Sequence, residues 1–187
     1  MRTFIAIELP EEIKESLARL QDRLKQSQAD VKWVKPQNIH LTLKFLGEIN
    51  EEQLEKITRA LEQVCLNRRC FQMCLSTVGA FPKVNFPRVI WVGVEKGASE
   101  TSEIATDLEE KVSMVEVPKE KRPFSSHITI GRVRSNFNKD KLVNDLKTIG
   151  SLEGKEFAVT KLTLFKSTLT PTGPVYEALK TASLQAT

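Results

Sequence analysis

Two histidines, His40 and His127, occur in the 187 residues, and each precedes a threonine by two positions. The motifs read His-Leu-Thr-Leu at 40–43 and His-Ile-Thr-Ile at 127–130. Imidazole, with an unperturbed pKa of about 6.5, can accept or donate a proton near neutral pH. Two imidazoles can therefore take a proton from an attacking oxygen and give one to a leaving oxygen. The motifs indicate cleavage of a phosphodiester by in-line displacement, without a required metal.

Side-chain alternation predicts how each motif presents these groups. Successive residues of a strand point to opposite faces, so His40 shares a face with Thr42, and His127 with Thr129. The apolar residues between them would pack beneath the helices. The threonine hydroxyls can donate hydrogen bonds to non-bridging phosphate oxygens and stabilise charge in the transition state. We expect the histidines to be catalytic and the threonines to bind the phosphate.

The histidines could instead be structural residues or zinc ligands. A single histidine near a threonine in a strand is commonly structural, but two copies of the same pattern favour catalysis. A zinc site would need further ligands, and no acidic residue or cysteine stands at a suitable local spacing. The three cysteines, at positions 65, 70 and 74, are odd in number and have no histidine nearby, which predicts reduced thiols.

The elements that carry the motifs are repeated along the chain. Each motif is preceded by a strand and an amphipathic helix and followed by a second helix and a further strand. His40 and His127 lie 87 residues apart. The other equivalent landmarks, at offsets of 86 to 88 residues, are the candidate helix caps Asn50 and Asn138 and the strand segments 71–81 and 157–165. This spacing predicts an internal duplication and an α+β architecture.

The composition limits the domain organisation and the partners. A hydrophobic content of 40% is enough for a packed core, and no Gly/Ser linker divides the halves, so residues 1–187 are expected to form a single bilobal domain. The net charge of +4 favours polyanionic partners without specifying them. Glu8 and Pro10 interrupt the first apolar run too early for a signal or membrane segment, so a cytoplasmic location is expected.

At these motifs the sequence resembles the two-histidine phosphoesterases, specifically the RNA 2′,3′-cyclic phosphodiesterases long called 2′-5′ RNA ligases. The similarity covers nearly the whole chain and includes residues 2–7, 33–47, 87–91 and 127–132, with a similar C-terminal segment. The paired His-x-Thr motifs are its specific part. Ser126 departs from the family pattern, which often has proline before the second histidine, and this affects only the local turn.

The resemblance implies a pseudo-twofold fold in which two antiparallel sheets line a central cleft, with helices packed outside. It implies hydrolysis of an RNA 2′,3′-cyclic phosphate to a 2′-phosphate, together with reversible 2′-5′ ligation. His40 would be the proton donor to the departing O3′, and His127 the proton acceptor from water, while Thr42 and Thr129 hold the phosphate. No cofactor or metal is expected. The implied partner is RNA with a cyclic phosphate end, which includes tRNA halves. The protein is expected to be a monomer and to have no membrane partner.

Three further residues are candidates for substrate binding. Arg132 lies five residues after His127, so strict alternation places it on the opposite face unless a bulge intervenes, but the resemblance keeps it a candidate. Arg122 belongs to the basic segment 119–124, which could contact RNA phosphates or could be a solvated loop. Phe45 could stack on a base or could belong to the core.

The sequence is also compatible with two other functions. Because the motifs recognise the phosphodiester and not the base, the substrate could instead be a small cyclic nucleotide. The repeated halves could also form a non-catalytic RNA-binding module. The glycine and aromatic pattern of an RNA-recognition-motif sheet does not occur in the sequence, which disfavours that second alternative.

Overall fold

The computed structural model describes residues 1–186, in which the predicted order of elements occurs twice. In chain order the elements are β1 Arg2–Glu8, α1 Glu11–Lys25, β2 Val31–Trp33, β3 His40–Glu48, α2 Glu51–Leu66, β4 Phe71–Met73, β5 Leu75–Lys83, β6 Phe86–Val94, α3 Ala98–Ser113, β7 His127–Val133, α4 Lys139–Ile149, β8 Phe157–Val159, β9 Lys161–Thr170 and β10 Gly173–Ser183. The order β1-α1-β3-α2-β4-β5 recurs as β6-α3-β7-α4-β8-β9.

The two repeats exchange strands. One main sheet has the order β10-β9-β1-β3 and the other has the order β2-β7-β6-β5, while β4 and β8 pair in a small third sheet. All pairings of the named strands are antiparallel. The first sheet therefore takes β9 from the second repeat, and the second sheet takes β5 from the first. This arrangement confirms the predicted fold, a duplicated α+β structure with two antiparallel sheets.

Of the two predicted helix caps, Asn50 and Asn138, the structure has one. The side chain of Asn50 accepts a hydrogen bond from the Gln53 backbone N–H at 2.8 Å, and the Gln53 side chain accepts one from the Asn50 N–H at 3.1 Å. This capping box begins α2 as predicted. Asn138 precedes α4 in a left-handed conformation with a φ of 51° and makes no side-chain cap bond, so the predicted side-chain cap there is wrong.

The strand segments 71–81 and 157–165 differ from the prediction in the same way. Each divides after three residues into a short strand and a long one, β4 with β5 and β8 with β9. The short strands pair with each other, and the long strands enter the main sheets. The apolar pattern continues through both parts, so it cannot show that one segment serves two sheets.

The faces of the motif strands follow the predicted alternation. Leu41, Leu43, Ile128 and Ile130 are at most 4% exposed and belong to the hydrophobic core. The motif histidines and threonines are partly exposed. The apolar face of each strand thus lies in the core, which leaves the polar face for chemistry. Of the helices in residues 1–186, none combines the length and apolar character needed to cross a membrane.

Candidate active site

His40 is held by the backbone just before its own strand. Its Nδ1 lies 2.7 Å from the Asn38 carbonyl oxygen, and its Nε2 lies 2.9 Å from Thr42 Oγ1. Because a carbonyl oxygen only accepts, Nδ1 carries the hydrogen and Nε2 is the atom available for proton transfer. The Asn38 side chain also donates to the Pro174 carbonyl oxygen at 2.8 Å, which anchors this turn on the β9–β10 hairpin.

His127 is held by the same device in the other repeat. Its Nδ1 lies 2.7 Å from the carbonyl oxygen of Ser125, again two residues earlier. The same tautomer follows, so Nε2 is again the atom left for chemistry. Both histidines are therefore oriented alike by backbone carbonyl groups that alternation alone would not reveal.

The two imidazoles have different surroundings. The His40 ring stacks on Phe4, with centroids 4.8 Å apart and planes at 24°, and meets the edge of Tyr176 at 5.4 Å. Within residues 1–186, the aromatic contacts of the His127 ring are edge contacts, with Phe81 at 5.0 Å and Trp91 at 6.4 Å. His40 is thus the more enclosed of the two.

The enclosure of His40 changes its acidity. Burial lowers the pKa of His40, and the charge of Lys14 also lowers it, while the hydrogen bond to the Asn38 carbonyl acts in the opposite direction. Burial disfavours the charged form of an imidazole, so the free protein favours neutral His40. Burial likewise raises the pKa of Tyr176, against the lowering effect of the Arg2 and Arg132 charges.

A β-bulge decides the position of Arg132. The register of β7 against β6 slips by one residue at Ile130. The extra residue reverses the alternation, so Arg132 lies on the face of His127 and Thr129 and not on the opposite one. The positive charge of Arg132 also acts to lower the pKa of Tyr176, which lies on β10 of the other sheet.

The first motif strand contains the same bulge. The register of β3 against β1 slips at Leu43, and Phe45 is then paired with Phe4 on the motif face. The two rings lie 6.3 Å apart, and Phe45 is 56% exposed. Phe45 stands five residues after His40, as Arg132 does after His127. Phe45 is therefore an exposed aromatic beside the catalytic candidate and not a core residue.

Lys44, which follows the first bulge, is a residue that the sequence analysis missed. It is only 2% exposed, and its Nζ lies 2.9 Å from a Glu109 carboxylate oxygen on α3 and 3.8 Å from one of Glu120. The same ammonium donates to the Pro118 carbonyl oxygen at 3.1 Å. The first motif strand is thereby tied to the segment that leads into the second motif. The sequence feature that could have identified Lys44 is the presence of a lysine in an otherwise apolar strand.

The remaining surroundings of the motifs are a pocket and an exposed loop. A pocket of about 380 Å³ adjoins His40, with Lys14, Asn38, Gly173 and Tyr176 among its lining residues. Arg122 is exposed in the loop between α3 and β7. Within residues 1–186, no three His, Cys, Asp or Glu side chains are grouped as metal ligands would be, and the three cysteines are free.

Comparison with known proteins identifies relatives over nearly the whole length. The family described as LigT like Phosphoesterase matches residues 7–91 and again residues 92–176, one match for each repeat. The RNA 2′,3′-cyclic phosphodiesterase of Methanocaldococcus jannaschii is 39% identical over 180 residues, which cover 96% of this chain and 99% of that protein. The protein of the same name from Methanothermobacter thermautotrophicus is 34% identical, covering 94% and 95%.

Solved structures have the same fold. The TT0787 protein of Thermus thermophilus superposes with a TM-score of 0.82 at 30% identity, covering 100% of this chain and 99% of that one. LigT of E. coli, solved with 3′-AMP, has a TM-score of 0.78 at 25% identity, covering 98% and 97%. The resemblance predicted from the two His-x-Thr motifs is confirmed, and the chain belongs to the LigT-like phosphoesterase family.

Proposed function

We propose that this protein hydrolyses RNA 2′,3′-cyclic phosphates to 2′-phosphates, with His40 and His127 as its acid and base. The observation that carries the proposal is the repeated clamp, in which a backbone carbonyl two residues earlier holds each Nδ1 and leaves each Nε2 for proton transfer. The relatives named RNA 2′,3′-cyclic phosphodiesterases support the substrate class.

In the proposed reaction, His127 accepts a proton from water as the water oxygen attacks phosphorus. The P–O3′ bond breaks, and His40 gives its Nε2 proton to O3′, which leaves the phosphate on O2′. His127 gains one proton and His40 loses one, so the number of protons on the enzyme is unchanged. At the end of the reaction each histidine is in the protonation state in which the other began. Each positioned acid or base is typically worth about 100- to 10,000-fold in rate.

Thr42 couples the protonation of His40 to phosphate binding. With neutral His40, the Thr42 hydroxyl can give its single hydrogen to Nε2 across the 2.9 Å contact. With protonated His40, Nε2 becomes a donor and the Thr42 hydrogen is free to turn to a phosphate oxygen. A bound phosphate also favours the charged imidazole, which counteracts the pKa lowering by burial. Substrate binding would therefore prepare His40 as the acid.

Three residues are proposed to bind the substrate, each on a different observation: Arg132, Phe45 and Arg122. The bulge turns Arg132 to the motif face, where a guanidinium can hold phosphate oxygens. Phe45 presents an exposed ring on the equivalent face of β3, suited to stacking on a base. Arg122 contributes positive charge from the exposed loop that precedes the second motif.

The direct test is turnover of an oligoribonucleotide ending in a 2′,3′-cyclic phosphate, in EDTA, with mapping of the product end. We expect a 2′-phosphate product and a loss of about 100-fold or more for His40→Ala and for His127→Ala. A 3′-phosphate product would show that O2′ leaves and would overturn the proposed geometry. Unchanged turnover by both variants would overturn the two-histidine mechanism.

Ligation would use the same groups in the same roles, with a different nucleophile. A 5′-hydroxyl of a second RNA would replace water, give its proton to His127 and form a 2′-5′ linkage as O3′ leaves. Pairs of RNA halves, including tRNA halves, are the substrates to test. We expect a junction that resists 3′-5′-specific nuclease, at a yield that falls with His127→Ala.

A small cyclic nucleotide is the second candidate substrate. The pocket beside His40, at about 380 Å³, falls within the range of single-ligand sites. The E. coli LigT structure with 3′-AMP shows that a relative binds a mononucleotide. Comparison of kcat/KM for cyclic mononucleotides and cyclic-ended oligonucleotides separates the two substrate classes, and absence of turnover with both would favour a binding module.

A further inference from the structure

We propose that the tip of the β5–β6 hairpin is a second RNA contact that binds the strand upstream of the cyclic phosphate. The contact consists of Lys83, Phe86 and Lys139, called here the hairpin platform. This inference rests on the proposed function for its substrate, but it concerns residues outside the catalytic motifs.

The hairpin platform is built around one exposed ring. Phe86 is 56% exposed, and the Nζ atoms of Lys83 and Lys139 lie 5.0 Å and 5.3 Å from its ring centre. Lys83 pairs with Phe86 across the hairpin, whereas Lys139 begins α4. Residues distant in the sequence thus bring two ammonium groups to the same aromatic ring, at distances typical of cation–π contacts.

The charge of the platform is not neutralised locally. Within residues 1–186, neither Lys83 nor Lys139 takes part in an ion pair, although many other lysines do. The Nζ of Lys139 contacts the neutral side chain of Asn136 at 3.1 Å. Exposed Arg88 on β6 adds further positive charge to this hairpin. A polyanion would complement the cluster.

The combination of ring and charge favours single-stranded RNA. Base stacking on an aromatic ring, together with backbone phosphates beside lysines, is how single strands are bound without sequence preference. An exposed apolar patch alone would fit many partners, but two ammonium groups on the ring favour a ligand with both a flat base and a negative charge.

The position of the platform connects it to the catalytic site. Phe81 on β5 contacts the His127 ring edge-on at 5.0 Å. Lys83 lies two residues farther along the same strand and is paired there with Phe86. An RNA whose terminal phosphate lies at His127 can therefore pass along the hairpin, with its next nucleotides over Phe86.

The test compares two substrates, adenosine 2′,3′-cyclic phosphate and a single-stranded oligoribonucleotide of roughly ten nucleotides with a cyclic phosphate end. We expect Phe86→Ala to raise KM for the oligonucleotide about 5- to 150-fold and to leave KM for the mononucleotide unchanged, given about 1–3 kcal/mol for each stacked base. The double variant Lys83→Gln, Lys139→Gln should lower the salt slope of oligonucleotide binding by about 0.7 for each lysine.

Lys56→Gln and Leu66→Ala on α2 are matched controls, since they remove an exposed lysine and an exposed apolar side chain in the other lobe. Equal effects on both substrates, or no effect on the oligonucleotide, would overturn the hairpin platform. Failure of the wild type to hydrolyse either substrate would instead overturn the proposed function. In that case, fluorescence anisotropy with the same RNA bearing a 2′-phosphate still tests the platform.

Discussion

The two motif strands, β3 and β7, share one backbone design and differ in what surrounds it. In each, a carbonyl two residues earlier holds Nδ1 of the histidine, and a bulge follows the threonine. His40 is stacked and more enclosed, whereas the aromatic contacts of His127 within residues 1–186 are edge contacts. Phe45 occupies the position in β3 that Arg132 occupies in β7. The duplication thus supplies two histidines that are held alike, and the surroundings make them unequal.

In the proposed mechanism the two histidines take opposite roles. An acid and a base in one reaction must start in different protonation states, and two identical environments would not provide this. Burial and the Lys14 charge lower the pKa of His40, and the Thr42 hydroxyl contacts its Nε2, so a bound phosphate has to restore the charged form before His40 acts as the acid.

The largest expected effect is a loss of rate that distinguishes the proposed acid from the proposed base. We expect His40→Ala to lose about 100- to 10,000-fold with a normal cyclic phosphate, but far less when sulfur replaces the bridging O3′. A thiolate leaves without protonation because the pKa of a thiol is only about 8.5. His127→Ala should lose activity with both substrates. Single-turnover rates measure this, and sulfur rescue of His127→Ala instead would reverse the assigned roles.

The second largest effect on activity is expected for Arg132, which follows the bulge in β7 as Phe45 follows the bulge in β3. Arg132→Ala should lower kcat/KM about 10- to 100-fold, because a charged hydrogen bond is worth about 1.5–3 kcal/mol. Arg132→Lys should recover only part of this loss, since lysine lacks the planar fork. Arg134→Ala, an exposed arginine just beyond β7, is the control. Equal losses for the two alanine variants would place Arg132 outside the site.

Phe45, the uncharged member of that pair, should affect binding more than chemistry. Phe45→Ala is expected to raise KM about 5- to 100-fold through loss of a stacked base, while Phe45→Trp keeps the stacking surface. The kcat of Phe45→Ala should change little, because no proton passes through the ring. A loss confined to kcat would contradict the stacking role.

Lys44 tests whether the two repeats depend on each other. Lys44→Met should lower the free energy of unfolding by about 1–3 kcal/mol, because it leaves the Glu109 carboxylate without its buried partner. Urea denaturation measures this change. Lys56→Met, which removes an exposed pair with Glu52, should change stability by less than about 1 kcal/mol. If the two variants are alike, the contact between the first motif strand and α3 is not stabilising.

The smallest effect is the pH dependence that follows from the burial of His40. Its pKa in the folded state lies below the ordinary 6.5, so the unfolded chain binds the proton more readily. Stability from this residue is therefore present above pH 6.5 and is lost as the pH falls through the folded pKa. NMR titration should find His40 below 6.5, moving upward when inorganic phosphate is added. A value above 6.5 in the free protein would contradict the enclosure.

Several features followed from the sequence because they depend on local physics. The duplication, the motif strands and the four helices arise from apolar spacing and caps that neighbouring residues determine. The polar faces of residues 40–42 and 127–129 follow from the two-residue period of a strand. The division of 71–81 into two strands did not follow, because pairing partners lie far along the chain.

By itself, the sequence determined which groups could do the chemistry and that they occur twice. The tertiary structure decided their orientation and their inequality. The Asn38 and Ser125 carbonyls, the bulges at Leu43 and Ile130, and the rings around His40 depend on backbone path and on contacts between the lobes. Alternation predicts faces only as long as a strand keeps its register, and a single extra residue reverses it.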